Sequence, residues 1–284
     1  MKQNTPSLTA YRVALMRAAH QVLDTPKILD DPIALRIVGA EGNSEINSKK
    51  RKFKTSLQSY LRAIVVARSK FAEDKLLEAF SRGVSQYVIL GAGLDTFAYR
   101  NSYAYNGMKI FEVDHPATQE WKQQHLKMAQ IGIPENVAFV PADFEKQSFI
   151  DQLQSAGFRT DQPVFFSWLG VTMYLTRESM MNTLRHIISH SHSDSEIVFD
   201  YVVPPSSQSF MRKAVIHLLS KKVTSFGEPW HTFYDTHSLI NDLKNIGFAH
   251  VDDMNPAEIN SRFFMNRSDK LMVGKFGHLI NARL

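Results

Sequence analysis

Apolar positions in the first eighty residues recur at the spacing of an α-helix. Between Leu8 and Val22 they crowd one side of the chain, which predicts an amphipathic helix. A longer periodic run predicts a second helix over roughly 56–82, with Gly83 as its C-cap. The N-terminal part of the chain is therefore expected to be helical.

Two polar segments lie between these helices. Asp30-Asp31-Pro32 combines acidic residues with a proline, as is typical of a helix start. The stretch from Glu41 to Lys54 is mostly polar and carries the basic cluster Lys49-Lys50-Arg51-Lys52. We expect a solvated loop here, because few aromatic residues that could stack on nucleic-acid bases surround the cluster.

Beyond Gly83 the pattern changes to short apolar runs that alternate with helical stretches. The runs lie at 87–90, 109–113, 136–140, 163–168, 196–203, 248–251 and 270–276. Strands that alternate with helices predict an α/β fold with an open, mostly parallel sheet. The sequence thus predicts a helical cap over 1–82 on an α/β core over 83–284, which together form one cooperative unit.

The first apolar run leads directly into Gly91-Ala92-Gly93-Leu94-Asp95-Thr96. Glycines at such a turn let the backbone approach a ligand beyond the carboxyl end of the strand. A dinucleotide site would have a third glycine at position 96, where this chain has a threonine. This departure favours a nucleotide-like ligand without a pyrophosphate.

Carboxylates follow the next two predicted strands. Asp114 ends the second strand, where a carboxylate can accept hydrogen bonds from ribose hydroxyls. Asp143 follows the third strand and can accept from an adenine amino group, while Phe144 packs on the ring. Each aspartate taken alone is equally typical of a helix N-cap or a turn. Their position after successive strands, together with the glycine turn, favours a nucleoside site.

These segments resemble the S-adenosylmethionine (SAM)-dependent methyltransferase family related to leucine carboxyl methyltransferases. The resemblance runs over nearly the whole chain, and the order and spacing of its blocks are specific. The matching blocks are 65–74 (VVARSKFAED), 83–100 (GVSQYVILGAGLDTFAYR), 111–116 (FEVDHP), 140–144 (VPADF), 167–176 (SWLGVTMYLT) and 227–235 (GEPWHTFYD).

The resemblance implies a class I methyltransferase fold, a Rossmann-like seven-stranded sheet with an antiparallel final hairpin. It also implies that Arg68 pairs with the methionine carboxylate of SAM, that Asp114 binds the ribose, and that Asp143 and Phe144 contact the adenine. Leucine carboxyl methyltransferases carry a glutamate where this chain has Leu169. In this respect the chain resembles a bacterial branch of the family, which favours a small-molecule acceptor over a protein terminus.

Candidates for the acceptor pocket follow the fourth and fifth strands. Tyr174 comes just after the fourth strand, and the run from Trp230 to Tyr234 contains His231, which has the chemistry of a general base. A core tyrosine and a surface histidine are the alternatives. Asp200 and Tyr201 are weaker candidates.

The N-terminal helices, with Tyr11 and Arg17, are expected to close over this pocket as a lid. No metal is expected, although His186 and His190 share a helical face, because no HExxH arrangement accompanies them.

Composition narrows the setting. The chain has 284 residues, no cysteine and a formal net charge of +5. It has no apolar run near the roughly 20 residues of a membrane span and no signal-like N-terminus. We therefore expect a soluble, cytoplasmic protein with a small-molecule acceptor and neither nucleic-acid nor membrane partners. The sequence does not predict its oligomeric state.

The leading hypothesis is a SAM-dependent O-methyltransferase that acts on a small carboxylate or phenol and releases S-adenosylhomocysteine (SAH). A catalytically inactive SAM-binding sensor or assembly protein is the alternative from a different class. A nucleotide-dependent oxidoreductase is disfavoured by Thr96.

Overall fold

A computed structural model describes residues 7–100, 107–142, 149–204 and 231–284. Within these ranges the strands form one seven-stranded sheet of order β3-β2-β1-β4-β5-β7-β6. The strands are β1 (Gln86–Leu90), β2 (Lys109–Asp114), β3 (Val137–Pro141), β4 (Val164–Trp168), β5 (Glu196–Val202), β6 (His250–Met254) and β7 (Gly277–Arg283).

The first five strands are parallel, and β7 runs antiparallel to both β5 and β6. Strands β1, β4 and β5 are buried along their whole length. Parallel strands covered on both faces are nearly continuous apolar runs, which is why the sequence pattern located them. The predicted α/β fold with an antiparallel final hairpin is confirmed.

Helices cover both faces of the sheet. In chain order they are α1 (Leu8–Leu23), α2 (Ala34–Ile37), α3 (Gly39–Ser48), α4 (Lys50–Phe53), α5 (Ser56–Ser81), α6 (Phe97–Arg100), α7 (Pro116–Met128), α8 (Ile150–Ser155), α9 (Arg177–Ser189), α10 (Thr236–Ile246) and α11 (Pro256–Phe263). Side chains of α8, α9 and α10 share one apolar cluster with alternate residues of the strands. Side chains of α5, α6 and α11 form a second cluster on the other face.

The cap and the core share a third apolar cluster. It joins buried residues of α1, α2 and α3 to Leu94 in the glycine turn and to Leu126 on α7. Helices from before residue 82 therefore share side-chain contacts with the turn and the helix that follow it. None of the helices in the described ranges is long and apolar enough to cross a membrane.

The expected loop over Glu41 to Lys54 was wrong, since most of it is helical in α3 and α4. Gly42 and Ile46 are the buried positions of α3, and Phe53 is the buried position of α4. Three buried positions in these two helices, one of them a glycine, give too weak an apolar period to detect in a polar sequence. The basic cluster 49–52 is nevertheless exposed, as expected.

The expected last strand was also wrong, because β7 begins at Gly277 instead of Lys270. Leu271 and Val273 are buried at alternate positions, which imitates a strand, but they pack against the α5 face of the sheet. The backbone N–H of Val273 donates to the side chain of Asn260 at 2.8 Å instead of to a neighbouring strand. The sixth strand is shifted less, from the expected 248–251 to His250–Met254.

Candidate functional site

The glycine turn follows β1 and has the left-handed backbone that glycine tolerates best. Gly91 has φ +69° and Gly93 has φ +44°. A Cβ atom at Gly91 would overlap a methyl group of Val171, and one at Gly93 would lie 3.0 Å from Cβ of Ala10 on α1. The absence of a side chain at Gly91 therefore lets Val171, in the loop after β4, pack against the turn. The absence of one at Gly93 lets α1 of the cap do the same.

Asp114 ends β2, beside the glycine turn. Its Oδ2 accepts from the backbone N–H of Gly93 at 2.6 Å, and its Oδ1 accepts from the backbone N–H of His115 at 2.7 Å. Burial raises the pKa of Asp114, and the two backbone hydrogen bonds act in the opposite direction. Each carboxylate oxygen keeps a second lone pair, so this carboxylate can still accept from a ribose hydroxyl.

Arg68 lies in the middle of α5 and is buried. Its Nη1 donates to Oδ2 of Asp200 on β5 at 2.9 Å. Its guanidinium lies against the α-carbon of Gly170, the second residue after β4. Because the next residue, Val171, contacts Gly91, the guanidinium is close to the glycine turn.

Asp143 and Phe144 lie outside the described residues. The chain before them leaves β3 at Pro141, and the backbone N–H of Ala142 donates to the carbonyl of Asp114 at 2.9 Å. The end of β3 is thereby held beside the carboxylate proposed for the ribose. Trp230 also lies outside the described ranges.

Tyr174 and His231 come from distant segments that the backbone joins. Tyr174 ends a 3₁₀ turn, Thr172–Tyr174, just after β4. The backbone N–H of His231 donates to the carbonyl of Met173 at 2.8 Å, and the Thr232 hydroxyl donates to the carbonyl of Leu175 at 2.6 Å. His231 is exposed, and Tyr174 is half-buried. These two candidates are therefore placed at the same edge of the sheet.

The two weaker candidates, Asp200 and Tyr201, point to opposite faces of β5, as neighbouring strand residues do. Asp200 faces α5, where it binds Arg68. Tyr201 faces the other side, where its hydroxyl donates to Asp253 at 2.8 Å and accepts from the Thr236 hydroxyl at 2.9 Å. Asp200 is thus part of the arginine site, while Tyr201 ties β5 to the final hairpin.

A set of largely buried ion pairs, which the sequence pattern did not predict, joins the cap to the glycine turn. Arg17 on α1 donates from Nη1 to Asp95 at 2.7 Å and from Nη2 to the carbonyl of Leu94. The hydroxyl of Thr96 donates to Asp31 at 2.5 Å. Asp31 also accepts from the backbone N–H of Ala34, the first residue of α2, so the Asp-Asp-Pro segment lies just before a short helix.

Around this junction, burial alone would raise the pKa of Asp95, but Arg17 and Lys122 outweigh it and hold that pKa below its usual range. Tyr11 lies nearby on the same helix, with its ring 6.0 Å from that of Trp121 on α7. The partners in these contacts between the cap and the core are more than sixty residues apart in the chain, so no local sequence pattern could predict them.

The two histidines near the end of α9 stack on each other, with ring centroids of His186 and His190 6.2 Å apart. Within the described parts of the chain, no group of three or more His, Asp or Glu side chains could hold a metal ion.

The donor set at the edge of the sheet fits a nucleoside that carries an amino-acid group. The Asp114 carboxylate, held beside the glycine turn, suits hydroxyl groups. The buried Arg68 guanidinium suits a carboxylate. Thr96, which replaces the third glycine of a dinucleotide turn, is used to hold the cap.

Comparison with known proteins identifies the same family as the sequence blocks around the site. Residues 10–188 match the model of the family described as leucine carboxyl methyltransferase. The chain is 34% identical to the protein YktD of Bacillus subtilis, over 99% of each chain, and YktD is named as an inferred S-adenosyl-L-methionine-dependent methyltransferase. A protein of Mycobacterium marinum with the same type of name is 30% identical over 70% of this chain and 67% of its own.

Solved structures agree on the fold. An inferred methyltransferase from Thermobifida fusca superimposes with a TM-score of 0.60 over 99% of this chain and 96% of its own, at 13% identity. A DUF574 family protein from Streptomyces avermitilis gives 0.57 over 96% of both chains, at 12% identity. From the family match and the near full-length relative, the chain belongs to the leucine carboxyl methyltransferase family and is a SAM-dependent methyltransferase.

Proposed function

We propose that this protein transfers the methyl group of SAM to an oxygen atom of a small molecule, either a carboxylate or a phenol. The observation that carries the proposal is the row formed by Arg68, Gly170, Gly91 and Asp114 along the carboxyl ends of β4, β1 and β2. A cation for a carboxylate lies at one end of this row, and a carboxylate for ribose hydroxyls lies at the other. Ligands of open α/β sheets bind at this edge.

In this proposal the chain's own residues hold SAM at both ends. Arg68 pairs with the methionine carboxylate, Asp114 accepts from the ribose, and the turn that contains Gly91 and Gly93 lies beside the ligand. Asp143 and Phe144 are assigned to the adenine by the family resemblance. When bound, SAM supplies an electrophilic methyl group on a positively charged sulfur.

The acceptor end is assigned to Tyr174 and His231, which the backbone contacts around Met173 bring to the same edge. The contribution of the protein to such a displacement is mainly alignment and the exclusion of water. A carboxylate acceptor is already ionised at neutral pH, whereas a phenol with a pKa of about 10 benefits from a base. His231 would accept the phenol proton, and Tyr174 would orient the acceptor.

The residue before Gly170 supports a small acceptor. Leu169 packs against the apolar cluster on the α5 face, so this position provides no carboxylate. Leucine carboxyl methyltransferases carry a glutamate there, and their acceptor is a protein terminus. The absence of the glutamate charge at position 169 favours a small-molecule acceptor over a protein terminus.

The cofactor assignment is tested by calorimetric titration with SAH, SAM and NAD. We expect SAH and SAM, but not NAD, to bind wild-type protein, and Asp114→Ala to weaken SAH binding by roughly 10- to 100-fold, because hydrogen bonds to a charged group are lost. Asp252→Ala is the matched control, since Asp252 is an exposed aspartate on β6 at the opposite end of the sheet. Equal SAH affinity in the two variants would contradict the assignment of Asp114.

The acceptor assignment is tested by SAH release with a panel of aliphatic carboxylates and phenols. If the acceptor is a phenol, His231→Ala should remove the acidic limb of the pH profile of kcat, because a base must be deprotonated to act. If it is a carboxylate, that variant should keep the wild-type profile. SAH binding without turnover on any acceptor would favour the SAM-binding sensor.

A further inference from the structure

Two arginines of α5 are buried and ion-paired, but they are used differently. Arg62 forms a bidentate pair with Asp24, from Nε at 2.6 Å and from Nη2 at 2.8 Å. Its Nη1 donates to the carbonyl of Phe53 at 2.7 Å. All three nitrogens of Arg62 are therefore engaged within the protein, which is the pattern of an arginine that stabilises the fold.

Arg68 is only 7% exposed, yet its hydrogen bonding within the described part of the chain is monodentate. Nη1 donates to Asp200, and a guanidinium has five N–H donors in a fixed planar fork. A buried guanidinium with donors to spare has unused capacity for a planar anion such as a carboxylate.

Asp200 is 3% exposed and holds several groups at the end of β4. One carboxylate oxygen accepts from Arg68, and the other accepts from the backbone N–H of Gly170 at 2.5 Å. The backbone carbonyl of Asp200 accepts from the Thr172 hydroxyl at 2.6 Å. Asp200 thus fixes the arginine relative to the loop that follows β4.

Gly170 completes this arrangement because it has no side chain. Its φ is +74°, and a Cβ there would lie 2.8 Å from Nη1 of Arg68 and closer still to Nη2. The guanidinium occupies the space that any other residue would fill. The orientation of the Arg68 guanidinium is therefore determined by the Asp200 carboxylate on one side and by the α-carbon of Gly170 on the other.

We propose that Asp200 is a positioning residue: it orients Arg68 over Gly170 through a single nitrogen and leaves the rest of the guanidinium for the carboxylate of the cofactor. This inference rests on the proposed function, because it assumes that Arg68 binds the amino-acid end of SAM. Asp200 acts through Arg68 and contributes to affinity for that end alone. It has no role at the nucleoside end, where Asp114 lies.

The test compares two ligands that differ at the amino-acid end. SAH carries the carboxylate, and 5′-methylthioadenosine is the same nucleoside without the amino-acid part. In Asp200→Asn we expect the affinity for SAH to fall roughly 10- to 100-fold, the range for a hydrogen bond to a charged group, while the affinity for methylthioadenosine stays within about twofold. The ratio of the two affinities is the readout, since partial unfolding lowers both equally and leaves the ratio unchanged.

Asp24→Asn is the matched control, because it breaks the other buried aspartate pair of the same helix. It should lower the stability and leave the affinity ratio at the wild-type value. If Asp200→Asn does not fold, Gly170→Ala displaces the same guanidinium and should lower the ratio in the same direction.

An unchanged ratio in Asp200→Asn, or in its replacement, would overturn the positioning role. A wild-type protein that binds neither ligand would instead overturn the proposed function itself, so the two failures are distinguishable.

Discussion

Arg17 offers the sharpest test of how the cap is joined to the core. It lies on α1, is 2% exposed, and donates to the Asp95 carboxylate and to the carbonyl of Leu94 in the glycine turn. Arg17→Ala would leave a buried carbonyl without this donor and would remove one of the cations that keep the pKa of Asp95 low. The variant should therefore be strongly destabilised.

The expected loss follows from the burial of Arg17, whose partner Asp95 has a side chain that is only 21% exposed. Removing one partner of a buried ion pair costs about 3–5 kcal/mol, which is a large part of the roughly 5–15 kcal/mol that stabilises a typical domain. For a chain of this size each kcal/mol corresponds to about 2–4 °C in Tm, so Tm should fall by roughly 6–20 °C.

Urea and thermal unfolding followed by circular dichroism measure this loss. Arg12→Ala is the matched control on the same helix, because Arg12 pairs with Glu45 at 3.1 Å near the surface and such pairs contribute at most about 1 kcal/mol. We expect a single transition in both variants, since one apolar cluster contains residues of the cap and the core. Equal stability of the two variants, or a separate early transition of the cap in Arg17→Ala, would refute this reasoning.

Two further predictions concern acid stability and the glycine turn. Burial alone would raise the pKa of Asp24, but hydrogen bonds from two basic side chains hold it below its usual value. The stabilisation from this group is present above the unfolded pKa of about 4 and is lost as the pH falls through the lower folded value, so Asp24→Asn should flatten the fall in urea stability over that range. In Gly91→Ala, the left-handed backbone costs about 1–2 kcal/mol and the new methyl overlaps Val171, so both stability and SAH affinity should fall. Adding Val171→Ala should recover part of the loss, and no recovery would show that steric overlap is not the cause.

The central strands and the glycine turn were predictable from the sequence because their causes are local. Strands β1, β4 and β5 are buried on both faces, so each is an apolar run that needs no distant contact to detect. Gly91 and Gly93 directly follow the apolar run that forms β1. Their freedom to adopt positive φ predicts a turn at this point. Asp114 is located by the same logic at the end of the next strand.

The antiparallel end of the sheet was harder to delimit. Buried Leu271 and Val273 alternate as a strand would, yet their burial comes from packing against the α5 face. Alternation reports which side chains are covered, and it does not report what covers them. Strand β7 itself contains the buried polar residue Asn281, which weakens its apolar pattern. The pattern therefore favoured the wrong segment by a few residues.

Long-range polar pairs decide the arrangement of the site, and they have no local signal. Arg68 and Asp200 are 132 residues apart in the chain, and each taken alone is a charged residue in an apolar segment. A charge in a buried element is costly unless a partner is present, so each predicts a partner without identifying it. The family resemblance assigned Arg68 a ligand, but the partner on β5 became visible only in the fold.

Thr96 connects the local and the long-range constraints. Its side chain stands where a dinucleotide turn has a glycine, and that substitution argued against a pyrophosphate. In the fold its hydroxyl donates to Asp31, a residue of the cap that also accepts from the backbone N–H of Ala34 at the start of α2. The position that a dinucleotide protein leaves bare for its ligand is used here to attach the cap. Because the glycine turn does not have to bind a pyrophosphate, a side chain at position 96 can instead contact the cap. Thr96 therefore both argues against a dinucleotide ligand and attaches the cap to the turn.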